Sequence, residues 1–315
     1  MKKWFAEAPS NIALIKYMGK EDPAKNIPIN ASLSYTLNDL LSFVELESYP
    51  GPNDIWEPLD LPGTPAFSLT PEAKERFLRH LTFLKNHFSY SGNFIVRSCN
   101  NFPQSTGLAS SASSFAALTQ CAARALCELT NQEEISIEKI AELSRVGSGS
   151  SCRSFFSPWC LWTKHGVEPI ALPYDKLIHQ AVIVSHEFKP VHSTDAHKLV
   201  RTSPLFANRA ERAEENLKLL IQSLKEKNWT TVFEIVWRDF WDMHQMFESS
   251  VPPLHYMKDD TKKVLNNIKK YWDDNKDGPL ATVDAGANIH LLYRPDQKDK
   301  AEFIKTFFLN DYDVL

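Results

Sequence analysis

A run of small residues joins a β-prone segment to a helical one, and it limits the architectures open to this 315-residue chain. Residues 103–112 read Pro-Gln-Ser-Thr-Gly-Leu-Ala-Ser-Ser-Ala. They follow the β-prone segment Phe94–Ser98 and precede Phe115, Leu118 and Leu126 at helical spacing. Small residues here let backbone N–H groups approach an anion, and a helix N-terminus adds partial positive charge. The junction suits a polyphosphate, although a serine-capped helix after an ordinary loop fits the residues equally well.

The composition excludes several classes of protein. A hydrophobic content of 43% and a charged content of 23% are typical of a soluble globular protein. The net charge of −4 argues against a nucleic-acid surface, so positive charge for an anionic ligand must be local. We expect no signal peptide, because no sufficiently long apolar run follows Met-Lys-Lys-Trp at residues 1–4. We expect no membrane span, because no apolar run reaches about 18 residues. Five cysteines without metal-ligand spacing predict reduced thiols in a cytoplasmic protein.

The periodicity predicts strands and helices that do not strictly alternate. A proline after Thr70 and a serine at position 136 each predict a helix start. This mixture favours an α+β fold with two lobes, divided after residue 185. The predicted strands are Ile12–Tyr17, Leu41–Leu46, Ala181–Ser185, Leu280–Val283 and Ile289–Tyr293, and the later helices are 205–227, 229–248, one reaching Trp272, and Lys300–Phe308.

Three sets of charged residues are candidates for chemistry, and each has an ordinary structural explanation. Asp284 follows a strand and precedes Ala-Gly, a position where a carboxylate often ends a strand or makes an Asx turn. Arg153 follows a glycine-serine run, and it fits either a carboxylate-binding fork or a surface ion pair. Lys16 and Lys20 are typical of solvent-exposed surface lysines. Strand alternation would nevertheless place both side chains on one face, where they could bind the same anion.

Six segments together carry a resemblance to a known family. The chain resembles the GHMP small-molecule kinases and, within that group, the mevalonate diphosphate decarboxylases. The last two segments make the resemblance specific, because ordinary GHMP kinases lack both. The segments are residues 8–20 (Ala-Pro-Ser-Asn-Ile-Ala-Leu-Ile-Lys-Tyr-Met-Gly-Lys), 28–34, 100–112, 203–205, 147–154 (Gly-Ser-Gly-Ser-Ser-Cys-Arg-Ser) and 284–288 (Asp-Ala-Gly-Ala-Asn).

The resemblance implies a fold and a reaction. The expected fold has a ribosomal-protein-S5-like N-terminal lobe that binds ATP (residues 1–185) and a ferredoxin-like C-terminal lobe (residues 186–315). The expected reaction is the ATP-dependent decarboxylation of mevalonate 5-diphosphate to isopentenyl diphosphate, through phosphorylation of the C3 hydroxyl. ATP and Mg2+ are the implied cofactors, and a cytoplasmic homodimer is the implied form.

The resemblance also implies roles for individual residues. The catalytic residues would be Asp284, Arg153 and Lys16. Mg2+ would be held by Ser111. The substrate would be bound by Tyr17, Lys20, Ser148, Ser150, Ser193 and His197. The nucleotide would be bound by Ser98, Asn100, Pro103, Gly107, Leu108, Ala109, Ser110 and Ser111.

The chain departs from the family pattern where the diphosphate end of the substrate is expected. Met18 replaces a usual tryptophan, and His192 replaces a glycine. The segment 193–197, Ser-Thr-Asp-Ala-His, replaces a run that usually carries arginine or glycine and ends in methionine. We expect Asp195 to cap a helix beginning near Ala196, with His192 and His197 supplying part of the missing positive charge. The number of substrate phosphates stays open, as do a monophosphate decarboxylase, a mevalonate kinase-type enzyme and a non-catalytic nucleotide-binding protein.

Overall fold

Two sheets, each covered by helices, organise the chain. A computed structural model describes residues 2–103, 110–187, 191 and 193–315, with the backbone alone at 193 and 194. The first sheet has six strands in the order β5-β6-β4-β7-β8, with β1 paired to β4. All neighbours are antiparallel except β5 and β6. Its strands are β1 (Lys3–Ile15), β4 (Ser32–Tyr49), β5 (Ile55–Pro58), β6 (Asn93–Asn100), β7 (Trp159–Thr163) and β8 (Gly166–Pro169), and a separate pair is β2 (Lys20–Asp22) with β3 (Ile27–Pro28).

Helices with well-defined starts pack on the first sheet. The hydroxyl of Thr70 accepts the N–H of Ala73, and that of Ser136 accepts the N–H of Lys139, which confirms both predicted starts. Apolar side chains of the first two helices and of strands β1, β4 and β6 form one core cluster. The helices are α1 (Pro71–His87), α2 (Ser110–Thr130) and α3 (Ile137–Gly147), and a 3-10 helix spans Gly149–Phe155.

The second sheet has four antiparallel strands in the order β10-β11-β9-β12. Because β9 pairs with strands from the end of the chain, residues 178–183 lie in the C-terminal sheet, and the lobe division after residue 185 stays a prediction. The strands are β9 (Ile178–Ile183), β10 (Leu280–Val283), β11 (Ile289–Tyr293) and β12 (Asp313–Val314). The helices are α4 (Ser193–Leu199), α5 (Arg209–Lys225), α6 (Trp229–Glu248), α7 (Asp259–Asn275) and α8 (Lys298–Phe308).

Helix α5 begins four residues later than the periodicity predicts. Turns precede it, closed by hydrogen bonds from Phe206 N–H to the Ser203 carbonyl and from Arg209 N–H to the Phe206 carbonyl, each 3.1 Å long. These turns provide backbone hydrogen bonds before the helix starts, so the segment 205–208 does not need the hydrogen bonds of a helix. The late start brings Arg209 to the first turn of the helix, where its side chain is fully buried.

A core shared by both lobes surrounds the end of β1. Ile12 and Leu14 of that strand belong to the same buried cluster as Val236 of α6 and Val283 of β10. The predicted α+β, two-lobed class is confirmed. Among the helices that the structure describes, none has an apolar stretch long enough to cross a bilayer.

Candidate active site

An ion pair between a buried lysine and a partly exposed aspartate joins the lobes at the centre of the candidate site. Strand β1 ends at Ile15, and the next side chain, Lys16, is only 2% exposed. Its Nζ donates to Oδ1 of Asp284 at 2.5 Å. Asp284 is the first residue after the end of β10. Burial lowers the pKa of Lys16, and the Asp284 carboxylate opposes that effect. The pair therefore joins two residues 268 positions apart, both of which the sequence singled out.

The strand-alternation argument for Lys16 and Lys20 was wrong. Residues 16–19 lie outside any strand, because Gly19 adopts a left-handed conformation with φ +96° and turns the chain into β2. A side chain at position 19 would also overlap the Ile29 side chain, since its Cβ would lie 2.5 Å from Cδ1 of Ile29. Both lysines are buried, but Lys16 is paired with a carboxylate while Lys20 is placed elsewhere.

Arg153 is buried and has polar partners but no carboxylate among the residues described. Its Nε donates to Oδ1 of Asn11 at 3.0 Å, and its Nη1 donates to the Ser32 hydroxyl at 2.9 Å. The guanidinium lies 5.6 Å from the ring centre of Trp162. Arg153 is also close enough to lower the pKa of Lys16. A guanidinium held this way keeps its charge available for an anion.

The glycine-serine turn (residues 147–150) contacts the aromatic side of the site. Gly149 faces Tyr17, and a Cβ at position 149 would lie 2.9 Å from a ring carbon of that tyrosine. Ser148 is buried and ends α3, while Ser150 is half-buried and its carbonyl accepts from Asn11 at 3.2 Å. The turn thus brings Gly149 against Tyr17, and it brings Ser150 against Asn11, which also accepts a hydrogen bond from Arg153.

Lys20 is a buried cation with no ion-pair partner within the part of the chain that is described. It is 8% exposed, and burial, with smaller contributions from Arg76 and Lys198, lowers its pKa to about 8. Arg76 extends from α1 and donates to the Gly147 carbonyl at 2.7 Å. A buried lysine beside a half-buried arginine, with the exposed Lys198 nearby, concentrates positive charge that favours a bound anion. No local pattern in the sequence indicates Arg76, which is one basic residue of an amphipathic helix.

His197 is a neutral residue, so its expected role as a cation was wrong. Its Nδ1 accepts the N–H of Gly19 at 2.9 Å, and its ring lies 4.3 Å from that of Tyr17. Burial, with a contribution from Lys20, lowers the pKa of His197 to about 3. The expectation for Asp195 was also wrong, since α4 already begins at Ser193 and Asp195 pairs with Lys198 at 3.2 Å.

His244 is a residue that the sequence did not indicate. It lies on α6, is 1% exposed, and interacts with the backbone of Val283 and Asp284. Burial, with a contribution from Lys16, lowers its pKa to about 3, so the imidazole is neutral behind the Lys16–Asp284 pair. A lone histidine on an apolar helix face is normally core packing, which is why no pattern identified it.

The predicted nucleotide residues lie at the junction of β6 and α2. Ser98 accepts the indole N–H of Trp56 at 2.9 Å, and Asn100 accepts the Ser42 hydroxyl at 2.7 Å. Nδ2 of Asn100 is buried and has no hydrogen-bond partner among the described residues. Pro103 ends the described segment before the helix. Five of the residues singled out by sequence lie outside what the structure describes, either wholly (Gly107, Leu108, Ala109 and His192) or in their side chain (Ser193).

Helix α2 begins at Ser110, and Ser111 is exposed in its first turn. The first N–H groups of a helix have no partner within it, and together with the helix dipole they favour an anion. The exposed hydroxyl of Ser111 is available to a ligand or a hydrated metal. The described residues contain no cluster of histidine, cysteine or carboxylate side chains that would hold a metal alone. The five cysteines are all buried thiols.

Two family models cover nearly all of the chain. The diphosphomevalonate decarboxylase-like N-terminal domain matches residues 8–168, and the mevalonate 5-diphosphate decarboxylase C-terminal domain matches residues 180–314. The chain belongs to the diphosphomevalonate decarboxylase family. The resemblance on which the sequence argument rested is thereby confirmed.

Individual members of the diphosphomevalonate decarboxylase family match over almost the full length. The diphosphomevalonate decarboxylase of Candida albicans is 33% identical, over 93% of this chain and 84% of its own. A crystal structure of a mevalonate diphosphate decarboxylase from Legionella pneumophila is 55% identical, with a TM-score of 0.94 and 100% of both chains covered. A structure described as MDDEF in complex with MVAPP, AMPPCP and magnesium is 25% identical, with a TM-score of 0.88, and covers 99% of this chain and 95% of its own.

Proposed function

We propose that the chain catalyses the ATP-dependent decarboxylation of mevalonate 5-diphosphate to isopentenyl diphosphate. Family membership and the complex of MDDEF with MVAPP, AMPPCP and magnesium support this proposal. The observation that carries it is the pairing of Lys16 with Asp284 near the buried Arg153, together with a second buried cation, Lys20. Neither Arg153 nor Lys20 has an ion-pair partner among the described residues. Such a site suits a substrate with a reactive hydroxyl, a carboxylate and a phosphorylated end.

Asp284 is the general base in this proposal. Its carboxylate orients the C3 hydroxyl and accepts its proton as the oxygen attacks the γ-phosphoryl group of ATP, which releases ADP. Lys16 donates to one oxygen of the Asp284 carboxylate, and this charge-assisted hydrogen bond stabilises the anion and orients it. His244 stays neutral and adds no competing charge behind the carboxylate.

Arg153 binds the substrate carboxylate. The planar guanidinium is fixed by Asn11 and Ser32, so it holds the carboxylate in one orientation relative to C3. After C3 is phosphorylated, the C3–O bond breaks and its electron pair leaves with phosphate. The C1–C2 bond then supplies the electron pair of the new alkene, and carbon dioxide departs.

Lys20, Arg76 and Lys198 form the binding site for the diphosphate end. Lys20 and Arg76 are held by the fold before substrate arrives, so little side-chain entropy is lost on binding. Neutral donors complete the surface. They are Tyr17, Ser148, Ser150 and His197, and Ser193 stays a substrate contact predicted from the sequence.

The N-terminus of α2 binds the phosphates of ATP. The amide nitrogen of Asn100, which has no partner among the described residues, and the exposed hydroxyl of Ser111 fit a nucleotide with its metal. Magnesium would neutralise charge on the phosphates of ATP, and Ser111 is the residue that would contact it.

The proposed form is a cytoplasmic homodimer. Phe303 and Phe307, one turn apart on α8, are 60% and 51% exposed. Large exposed aromatic side chains at helical spacing favour burial against another protein surface. Five buried thiols, with no disulfide in the described chain, agree with a reducing compartment.

A substrate comparison tests the proposed reaction. ATP is supplied with mevalonate, its 5-phosphate or its 5-diphosphate, and release of ADP and of carbon dioxide is followed separately. We expect equal amounts of both products with the diphosphate. ADP without carbon dioxide would show a kinase, higher specificity for the monophosphate would show a monophosphate decarboxylase, and no turnover would favour a binding protein.

A further inference from the structure

The backbone of Lys16 is held by a buried ion pair from the C-terminal lobe. Oδ2 of Asp239, on α6, accepts the Lys16 N–H at 2.7 Å. Nη2 of Arg209, on α5, donates to the Lys16 carbonyl at 2.9 Å. The two side chains also bond each other, at 2.9 Å through Nη1 and 3.1 Å through Nη2. One ion pair therefore contacts both polar groups of a residue whose strand has just ended.

This contact replaces the hydrogen bonds that a sheet would supply. Beyond Ile15 the chain leaves β1, so the buried N–H and carbonyl of Lys16 need other partners. Asn30 gives the carbonyl a second donor at 3.0 Å. Asp239 and Arg209 are both 0% exposed, and the desolvation cost of such a pair usually cancels its attraction. Stability alone is therefore a weak reason for the pair, whereas fixing the direction of the Lys16 side chain is a specific one.

The charge of Asp239 also acts on the Lys16 ammonium. Burial and Arg153 favour the neutral amine, while Asp284 and Asp239 favour the cation. His244 also faces Lys16 from α6 but is neutral. Removing the charge of Asp239 leaves Asp284 as the single carboxylate among these groups. The pKa of Lys16 then falls, and the ammonium loses its proton at a lower pH.

We propose that Arg209 and Asp239 are positioning residues that fix Lys16 against Asp284 and help to keep it cationic. This inference rests on the role given to Lys16 under the proposed function. Neither residue needs to touch the substrate. Through Lys16 the pair links the packing of α5 and α6 to the geometry of the reacting group in the cleft.

Two substitutions at Asp239 separate its charge from its geometry. In Asp239→Asn we expect kcat to fall at least about tenfold and the alkaline limb of its pH profile to move about one pH unit lower. KM for ATP should stay within about threefold of wild type, because the nucleotide lies at α2. Asp239→Glu keeps the charge but moves the carboxylate, so it should lower kcat and leave the alkaline limb in place.

Asp242→Asn is the matched control. Asp242 lies one turn from Asp239 on the same helix and bonds the same arginine, at 2.7 Å, but its described partners are Arg209 and Arg212. We expect its pH profile to match wild type. If Asp239→Asn lowers the melting temperature while kcat and the alkaline limb of the folded enzyme stay unchanged, the pair is structural and the inference is overturned. If Asp239→Asn does not fold, Asp239→Glu decides the question. An unchanged kcat in Asp239→Glu would then overturn the inference.

Lys16→Met distinguishes this inference from the function on which it rests. Wild-type turnover of Lys16→Met would overturn the role of Lys16 itself, and with it the reason for a positioning pair. Loss of turnover in Lys16→Met, together with wild-type behaviour of Asp239→Asn, would overturn the pair alone. Loss in both, with the shifted alkaline limb in Asp239→Asn, supports the inference.

Discussion

Lys16 and Lys20 are buried lysines four positions apart whose surroundings differ in sign. Lys16 has two carboxylates near it, whereas Lys20 has Arg76 and Lys198 and only a weak contribution from Asp195. The left-handed turn at Gly19 sends the two side chains to different places. The sequence could predict that both lysines were important. It could not predict their different surroundings, because these depend on where β1 ends.

The low pKa of Lys20 gives a pH-dependent affinity. Its ammonium titrates near pH 8 in the free protein, and a bound anion raises that pKa. Affinity for mevalonate diphosphate should therefore be full below pH 8 and fall as pH rises through 8. Phosphate itself titrates near pH 6, so it adds little change above pH 7. Calorimetric titration from pH 7 to 9 measures this, and Lys20→Met should remove the dependence. A flat profile for the wild type would contradict it.

Asp284→Asn removes the base and keeps the shape of the side chain. We expect turnover to drop by at least about 10³-fold with substrate affinity little changed, because a general base and its orientation are lost. Steady-state kinetics and binding titration give the two quantities. Retention of more than about a tenth of the wild-type turnover would restore the view of Asp284 as an ordinary strand-terminating residue. The melting temperature of the variant checks that activity is not lost through unfolding.

At the level of elements, α2 carries the clearest functional prediction. Ser111→Ala should weaken catalysis through the phosphate or its metal, while Ser110→Ala should have a smaller effect. A lost helix cap costs only about 1 kcal/mol, too little to unfold the protein. Steady-state kinetics with thermal denaturation as a control compares the two variants. A folded and fully active Ser111→Ala protein would remove the phosphate role of that hydroxyl.

Elements with strong local signals were predictable, and short or tertiary-dependent ones were not. Thr70 and Ser136 mark true helix starts because their hydroxyls cap the next turn. The edge strands β5 and β8 have four residues each, too few for a reliable alternation pattern. Motif residues such as Arg153 and Asp284 could be predicted, but Arg76 and Asp239 act through contacts that only the folded chain creates.

On the scale of the whole molecule, the shared core makes the two lobes depend on each other. The buried cluster that contains Ile12 and Leu14 from the first sheet also contains residues of α5, α6 and the second sheet. The Lys16–Asp284 and Lys16–Asp239 contacts cross the same boundary. The candidate site is thus built where the lobes meet, and its geometry requires both to be folded.

Unfolding should therefore be a single cooperative transition. Leu14→Ala, in the shared core, and Leu126→Ala, in the N-terminal core, each remove a fully buried side chain. Each should cost about 2–5 kcal/mol, because a cavity is left, and each should lower the same melting temperature. Leu219→Ala is the control, since Leu219 is 41% exposed and its truncation should change little. Scanning calorimetry tests this directly. Two resolved transitions, with each core variant shifting only one of them, would show that the lobes unfold independently. The shared cluster would then not couple them.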